Sequence, residues 1–215
     1  MKKAILLCLA AVFVIAVQAQ NEKYVNFMKK NIAALDSAKS PEDLQVSANN
    51  FERIANTEKS EWLPNYYAAY ALVMKAYYVK ELKDIDPLCD KADALLAMAE
   101  SMSAANSEIA TLKAMVLTAR MRADGSRGMS MGPKATMILQ QALQQSPTGN
   151  PRALMQMAQM KFYTPPAFGG GKEAGIDMLK KCIAAYDTFK PASELDPNWG
   201  KPYAVALLAQ WTAAQ

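Results

Sequence analysis

The chain has 215 residues, is rich in Ala, Leu, Met, Gln, Lys and Glu, carries a formal net charge of +4 and contains no histidine. The missing histidine excludes Ser-His-Asp and Cys-His catalysis and histidine-ligated zinc, and removes the commonest general acid–base group. With the charge nearly balanced and no basic run, no electrostatic footprint for nucleic acid or an anionic membrane is visible.

Lys2 and Lys3 precede an apolar run from Ala4 to Val17, and Val17-Gln18-Ala19 places small residues before a cut site. Residues 1–19 therefore read as a secretory signal peptide. The run is shorter than the roughly 18–20 residues a membrane span needs. No later stretch is apolar enough to replace it. The mature chain is expected to have no transmembrane segment and to be periplasmic or secreted. Cys8 sits only a few residues into the apolar core, whereas a lipidated cysteine belongs at its far end. Losing Lys2 and Lys3 takes the formal charge from +4 to +2, and residues 20–215 suffice for a single domain or a short repeat array.

The composition favours helix throughout, with no runs of β-branched residues. A first helix is expected over Glu22–Ser37, with Tyr24, Phe27, Met28, Ile32 and Leu35 on one face. Ser40-Pro41-Glu42-Asp43 carries a cap and a first-turn proline for the next. It presents Leu44, Ala48, Phe51 and Ala55. The helix over Ser60–Leu82 is the longest expected and the richest in aromatics. Asp86-Pro87 starts another that runs to Met102, and Ser107–Met121 follows. Ala123–Gly132 is expected as a loop, with Pro133 starting the next helix and Ser146-Pro147-Thr148-Gly149 stopping it. Asn150-Pro151 starts the following one. Pro165, Pro166 and Gly169-Gly170-Gly171 turn the chain into a helix from Lys172 toward Thr188. Asp196-Pro197 starts the last. About nine helices with mostly short connections imply an all-α antiparallel stack.

An internal period orders these helices. Ala92, Leu95, Leu96 and Ala99 follow the spacing i, i+3, i+4, i+7. Ala135, Ile138, Leu139 and Ala142 repeat it, as do Gly175, Met178, Leu179 and Cys182, with Ala48, Phe51 and Ala55 as a weaker copy. First positions 48, 92, 135 and 175 step by 44, 43 and 40, and the partner-helix markers Trp62, Ile109, Leu154 and Trp199 step by 47, 45 and 45. Small residues a turn or two apart admit a neighbouring helix, and the bulky ones between them fill the groove.

Over most of Ser40–Gln215 the chain resembles the tetratricopeptide-repeat superfamily. Ala135, Leu139, Ala142 and Pro147 match the alanine, large residue, alanine and proline of that family's second helix. Ala92, Leu96 and Ala99 match three of the four, and Gly175, Leu179 and Cys182 match with substitutions. Trp62 and Trp199 look like the aromatic near the start of the first helix. The family repeat is about 34 residues. Here the excess falls between the paired helices, at Val79–Asp86, Arg122–Gly132 and Thr164–Gly171. HEAT-type repeats have the right period but give no reason for small residues at both i and i+7 with a proline stop. The resemblance implies a right-handed superhelix whose first helices line a concave binding face.

Chemistry is sparse elsewhere. Asp84, Asp86, Asp90 and Asp93 are the densest carboxylates. The loop lacks the glycine turn and closing glutamate of a calcium site, and helix capping by Asp86 explains the acids as well. Gly169–Lys172 before a helix suggests an anion site, but Glu173 stands where a phosphate loop needs Ser or Thr. Cys89 and Cys182 lie two repeats apart and are expected to be free thiols. No metal and no cofactor is implied, and no base–nucleophile pair supports a hydrolase.

The aromatic helix is the exception. Trp62, Tyr67, Tyr70 and Tyr78 are the candidate partner-binding residues, because a helix in a two-layer stack buries one broad face and this one carries two aromatic stripes. Should the stripes be core, Phe162–Lys172 is the next place to look. The expected function is an exported, non-enzymatic scaffold binding an unidentified protein or peptide on its concave face. The alternative is a small molecule held in the same aromatic groove, which a C-terminal helix folded back over the groove favours.

Overall fold

The computed structural model describes residues 22–146 and 149–213. The expected signal peptide (1–19), Cys8 within it and Pro147 lie outside the described residues. Among those described, every regular element is helical: α1 (22–36), α2 (Pro41–Thr57), α3 (Trp62–Tyr78), α4 (Ile85–Met102), α5 (Ser107–Ala123), α6 (Gly128–Gln144), α7 (Pro151–Tyr163), α8 (Lys172–Thr188) and α9 (Lys201–Ala213).

The period is a packing period. The pairs α3/α4, α5/α6 and α7/α8 pack closely, as α2 does on α3, and α5 also touches both α3 and α7, so the first helices of the pairs form a common inner layer. Ala92, Leu96 and Ala99, then Ala135, Leu139 and Ala142, are all fully buried. Leu179 and Cys182 are buried in the same way. At Gly175 a Cβ would sit 2.5 Å from the Phe162 Cβ, so α7 and α8 approach at a distance that only glycine permits. The three expected insertions each contain one turn of 3-10 helix, at Leu82–Asp84, Gly125–Arg127 and Pro166–Phe168.

Local start signals behave unevenly. The Ser40 side chain accepts from the Asp43 N–H and the Asp43 carboxylate accepts from the Ser40 N–H, each at 3.1 Å, a reciprocal cap. Asn106 and Asn150 cap α5 and α7. Pro133 lies inside α6, which begins at Gly128. Much of the expected loop Ala123–Gly132 is therefore helical, because the turn capped by Asp124 feeds directly into it. Asp86 is not a cap, since α4 already starts at Ile85.

The largest difference concerns the last helix. Asp196-Pro197 does not open it, and Trp199 is not a helical marker. Residues 189–200 form an irregular strap, and α9 begins only after Gly200, whose φ is 109°. A Cβ at Gly200 would collide with the Tyr186 hydroxyl, which donates to the Trp199 carbonyl at 2.9 Å. The strap runs from α8 back across the inner layer to α1, where Glu194 pairs with Lys29 at 2.8 Å. Beyond it, α9 packs on α8, and Trp211 stacks on Phe162 of α7 with centroids 3.9 Å apart.

Candidate functional site

The strap divides the aromatic helix α3 along its length. Toward its N-terminal end, Tyr66 and Tyr67 are buried. The Tyr67 hydroxyl donates to the Leu195 carbonyl of the strap at 2.8 Å, and its ring stacks on Phe51. The Trp199 indole N–H donates to the Tyr66 hydroxyl at 3.1 Å. Burial pushes both tyrosine hydroxyls well above the ordinary phenol range. Tyr67 is therefore buried in the core, where the sequence reading expected it on the open binding face.

Toward its C-terminal end α3 stays open. There the strap, α3, α5, α7, the first turn of α9 and the α1–α2 junction enclose a cleft of about 710 Å³. Tyr70 forms one wall, stacked face to face on Trp199. Tyr78 and Tyr203 stand half exposed on the lining. Tyr77 also lines the cleft, and its hydroxyl donates to the Met115 carbonyl at 3.2 Å. Three methionines complete the apolar surface: Met74 from α3, Met115 from α5 and Met155 from α7. Gln156, Gln159 and Asn198 supply neutral polar groups, and among the described residues Asp36 supplies the one charge on the lining, with no lysine or arginine.

Of the four candidate residues, the structure thus brings Tyr70 and Tyr78 together in one cleft. Trp62 is half-buried against the edge of the Tyr66 ring and is not on the lining. Trp199 and Tyr203 also line the cleft and are not among the four candidates singled out by sequence. The 47-45-45 spacing counted Trp199 as a repeat position, whereas Asn198, Gly200 and Pro202 around it were the available sign of an irregular segment.

Trp199 is held from behind by a buried ion pair. The Arg152 side chain is fully buried and bonds both oxygens of Glu108, at 2.7 and 2.5 Å. Its guanidinium lies 4.4 Å from the Phe189 ring centroid and 5.8 Å from that of Trp199. Burial opposes its charge, but the Glu108 bonds outweigh that and hold it protonated.

No family model and no curated protein matches the chain. Among solved structures, the HusA haemophore from Porphyromonas gingivalis matches with a TM-score of 0.79 and 34% sequence identity, over 89% of this chain and 94% of that one. The chain belongs to the family of HusA.

In this HusA relative the other groups singled out by sequence have structural roles. Asp86 takes a two-pronged bond from Arg127 at 2.7 and 2.8 Å, and Asp90 and Asp93 accept from Arg120 at 2.7 and 2.9 Å. The Arg127 bond, against a smaller desolvation effect, holds the Asp86 carboxyl below the usual range. Arginines, not a cation site, take up these carboxylates. In the glycine run, the Gly170 and Gly171 N–H groups already donate to the Pro165 and Lys161 carbonyls. Cys89 and Cys182 are free and buried, with their thiols pushed up by burial to about 11 and about 12. No helix among the described residues is long and apolar enough to cross a membrane.

Proposed function

We propose that this protein is an exported, non-enzymatic carrier that binds a haem-type tetrapyrrole in the cleft between α3, the strap and α9. The observation that carries the reading is an open aromatic cleft in a chain sharing 34% identity and nearly its whole extent with a haemophore. At about 710 Å³ the cleft lies within the range of small-molecule sites. The strap supports a compact ligand over an extended peptide, because Leu195 and Trp199 close one end of the inner layer.

The donor set fits such a ligand. Aromatic and thioether side chains make up most of the apolar lining, which suits a largely apolar macrocycle. With no histidine in the chain, iron ligation falls to a phenol oxygen or a thioether sulfur, both of which serve haem elsewhere. Tyr78 and Tyr203 are the phenols best placed to offer it, since neither hydroxyl has a hydrogen-bond partner among the described residues. With no lysine or arginine on the lining among the described residues, the macrocycle's carboxylates extend to water. Residues 1–19 support export, and the small-large-small helix motif supports a divergent tetratricopeptide-like array. Absorption titration of the mature protein with haem tests the reading: a saturable shift of the Soret band at one equivalent is expected, and a purely linear, unsaturable response overturns it.

A further inference from the structure

The fold makes no use of the charge on the aromatic cleft. Asp36, the last residue of α1, stands on the lining, and among the described residues its carboxylate has no hydrogen bond and no ion pair. By contrast, Asp86, Asp90 and Asp93 are each held by an arginine. Lys39, three residues on, is neither paired with Asp36 nor on the lining. Asp36 is exposed, yet the protein crowded against it pushes its carboxyl above the usual carboxylate range. A carboxylate in the last helical turn also opposes the helix dipole. Both effects make the ionised side chain a cost to the fold.

The charge lies toward one end of the cleft. It acts on Tyr70 and on Tyr67 beneath the strap, whereas Tyr203 acts on Tyr77. Tyr70 and Tyr77 stand on one face of α3 two turns apart, about 10 Å. Neighbouring charges do not reverse the sign at the Asp36 end. Asp196 of the strap adds to it at Tyr67, and Arg152 opposes it at both tyrosines, but Glu108 neutralises that guanidinium. The α9 end, lined by Asn198, Pro202 and Tyr203, carries no charge among the described residues. A carboxylate on a ligand therefore meets like charge at the α1 end and none at the α9 end, beside apolar walls that screen less than water does.

We propose that Asp36 is a specificity-determining residue of the cleft, a role that rests on the tetrapyrrole reading. It rejects tetrapyrroles with acidic substituents on every edge. It accepts those, such as haem, whose two carboxylates share one edge, and turns that edge toward Tyr203. Repulsion of the wrong ligand discriminates as well as attraction of the right one.

Soret titrations with haem and with iron coproporphyrin, which bears a carboxylate on each of its four pyrroles, test this in the parent, Asp36→Asn and Asp36→Glu. The quantity read is the ratio of the two affinities, because the behaviour of the free ligands cancels when proteins are compared. Asp36→Asn should shift the ratio toward coproporphyrin by about fivefold or more, with haem affinity moving by less than about twofold. Asp36→Glu, which keeps the charge, should stay near the parent's ratio. Since the residue is exposed at a helix end, both variants should melt like the parent. In the parent itself, added salt should move the ratio in the same direction by screening the repulsion. A ratio unmoved by Asp36→Asn or by salt overturns the inference and leaves the haem reading standing, as does an equal rise in both affinities. A parent that binds neither ligand refutes the tetrapyrrole reading and this role with it.

Discussion

Trp199 stacks on Tyr70 with ring centroids 4.4 Å apart and planes 13° from parallel. The stack joins the strap to the middle of α3 and marks where the covered half of that helix ends. On one side lie the buried Tyr66 and Tyr67, and on the other the open Tyr78. A single aromatic helix thereby supplies both core and cleft wall.

Tyr67→Ala is expected to lower stability by about 3–5 kcal/mol, the range for truncating a large buried aromatic. It removes the Phe51 stack and the bond to Leu195. Tyr78→Ala, at a half-exposed position, should leave the unfolding free energy within about 0.5 kcal/mol of the parent's while weakening haem binding. Chemical denaturation and haem titration on the same samples separate the two. Equal destabilisation by both would contradict the division of α3.

The repeat makes its own prediction. Leu96→Ala and Leu139→Ala should each cost about 2–5 kcal/mol, since both side chains are fully buried. Gly175→Val forces a Cβ against Phe162 and should cost about 1–3 kcal/mol by overpacking. Urea midpoints check all three, and a neutral Gly175→Val would mean that α7 and α8 can separate.

Much of this fold was legible because it is periodic. Ala92, Ala135 and Gly175 sit at one repeated packing position, and periodicity finds such positions without any knowledge of partners. The strap is not periodic. Its contacts with α3 span more than 120 residues, as from Tyr67 to Leu195, and no local pattern announces them. Asp196-Pro197 reads as a helix start, yet the Asp196 carboxylate accepts from the Ser193 hydroxyl and Leu195 is buried against α3. Hence Tyr70 and Tyr78, read as exposed aromatics, do line an open cleft, whereas Tyr67 is buried and Trp199 precedes by two residues the helix to which its spacing assigns it.

The Arg152–Glu108 pair should be intolerant of losing one partner. Glu108→Ala leaves a fully buried guanidinium uncompensated, a change that costs about 3–5 kcal/mol. It should also loosen Trp199, visible as a shift in tryptophan emission. An unchanged melt with unchanged emission would contradict the support assigned to this pair.

The buried thiols set a pH dependence. Their folded-state values, about 11 for Cys89 and about 12 for Cys182, lie above the ordinary thiol range near 8.5. Between these limits the unfolded chain has released thiol protons that the folded chain retains, so stability falls as pH rises. The contribution is fully present below about pH 8.5. Denaturation at pH 7.5 and 10.5 should show a larger loss in the parent than in Cys89→Ala/Cys182→Ala, measured against each protein's own value at the lower pH. Parallel losses would contradict this.

The central claim is that the cleft beside Tyr70 and Trp199 holds the tetrapyrrole. The most direct measurement is haem affinity, read from the Soret band, in parent, Trp199→Ala and Tyr78→Ala/Tyr203→Ala proteins whose folding is verified by their melts. The account predicts one saturable site weakened about 30-fold or more in each variant, the effect of losing a stacking anchor worth about 2 kcal/mol or more. Parent-like affinity in both folded variants would place the haem elsewhere and contradict the account.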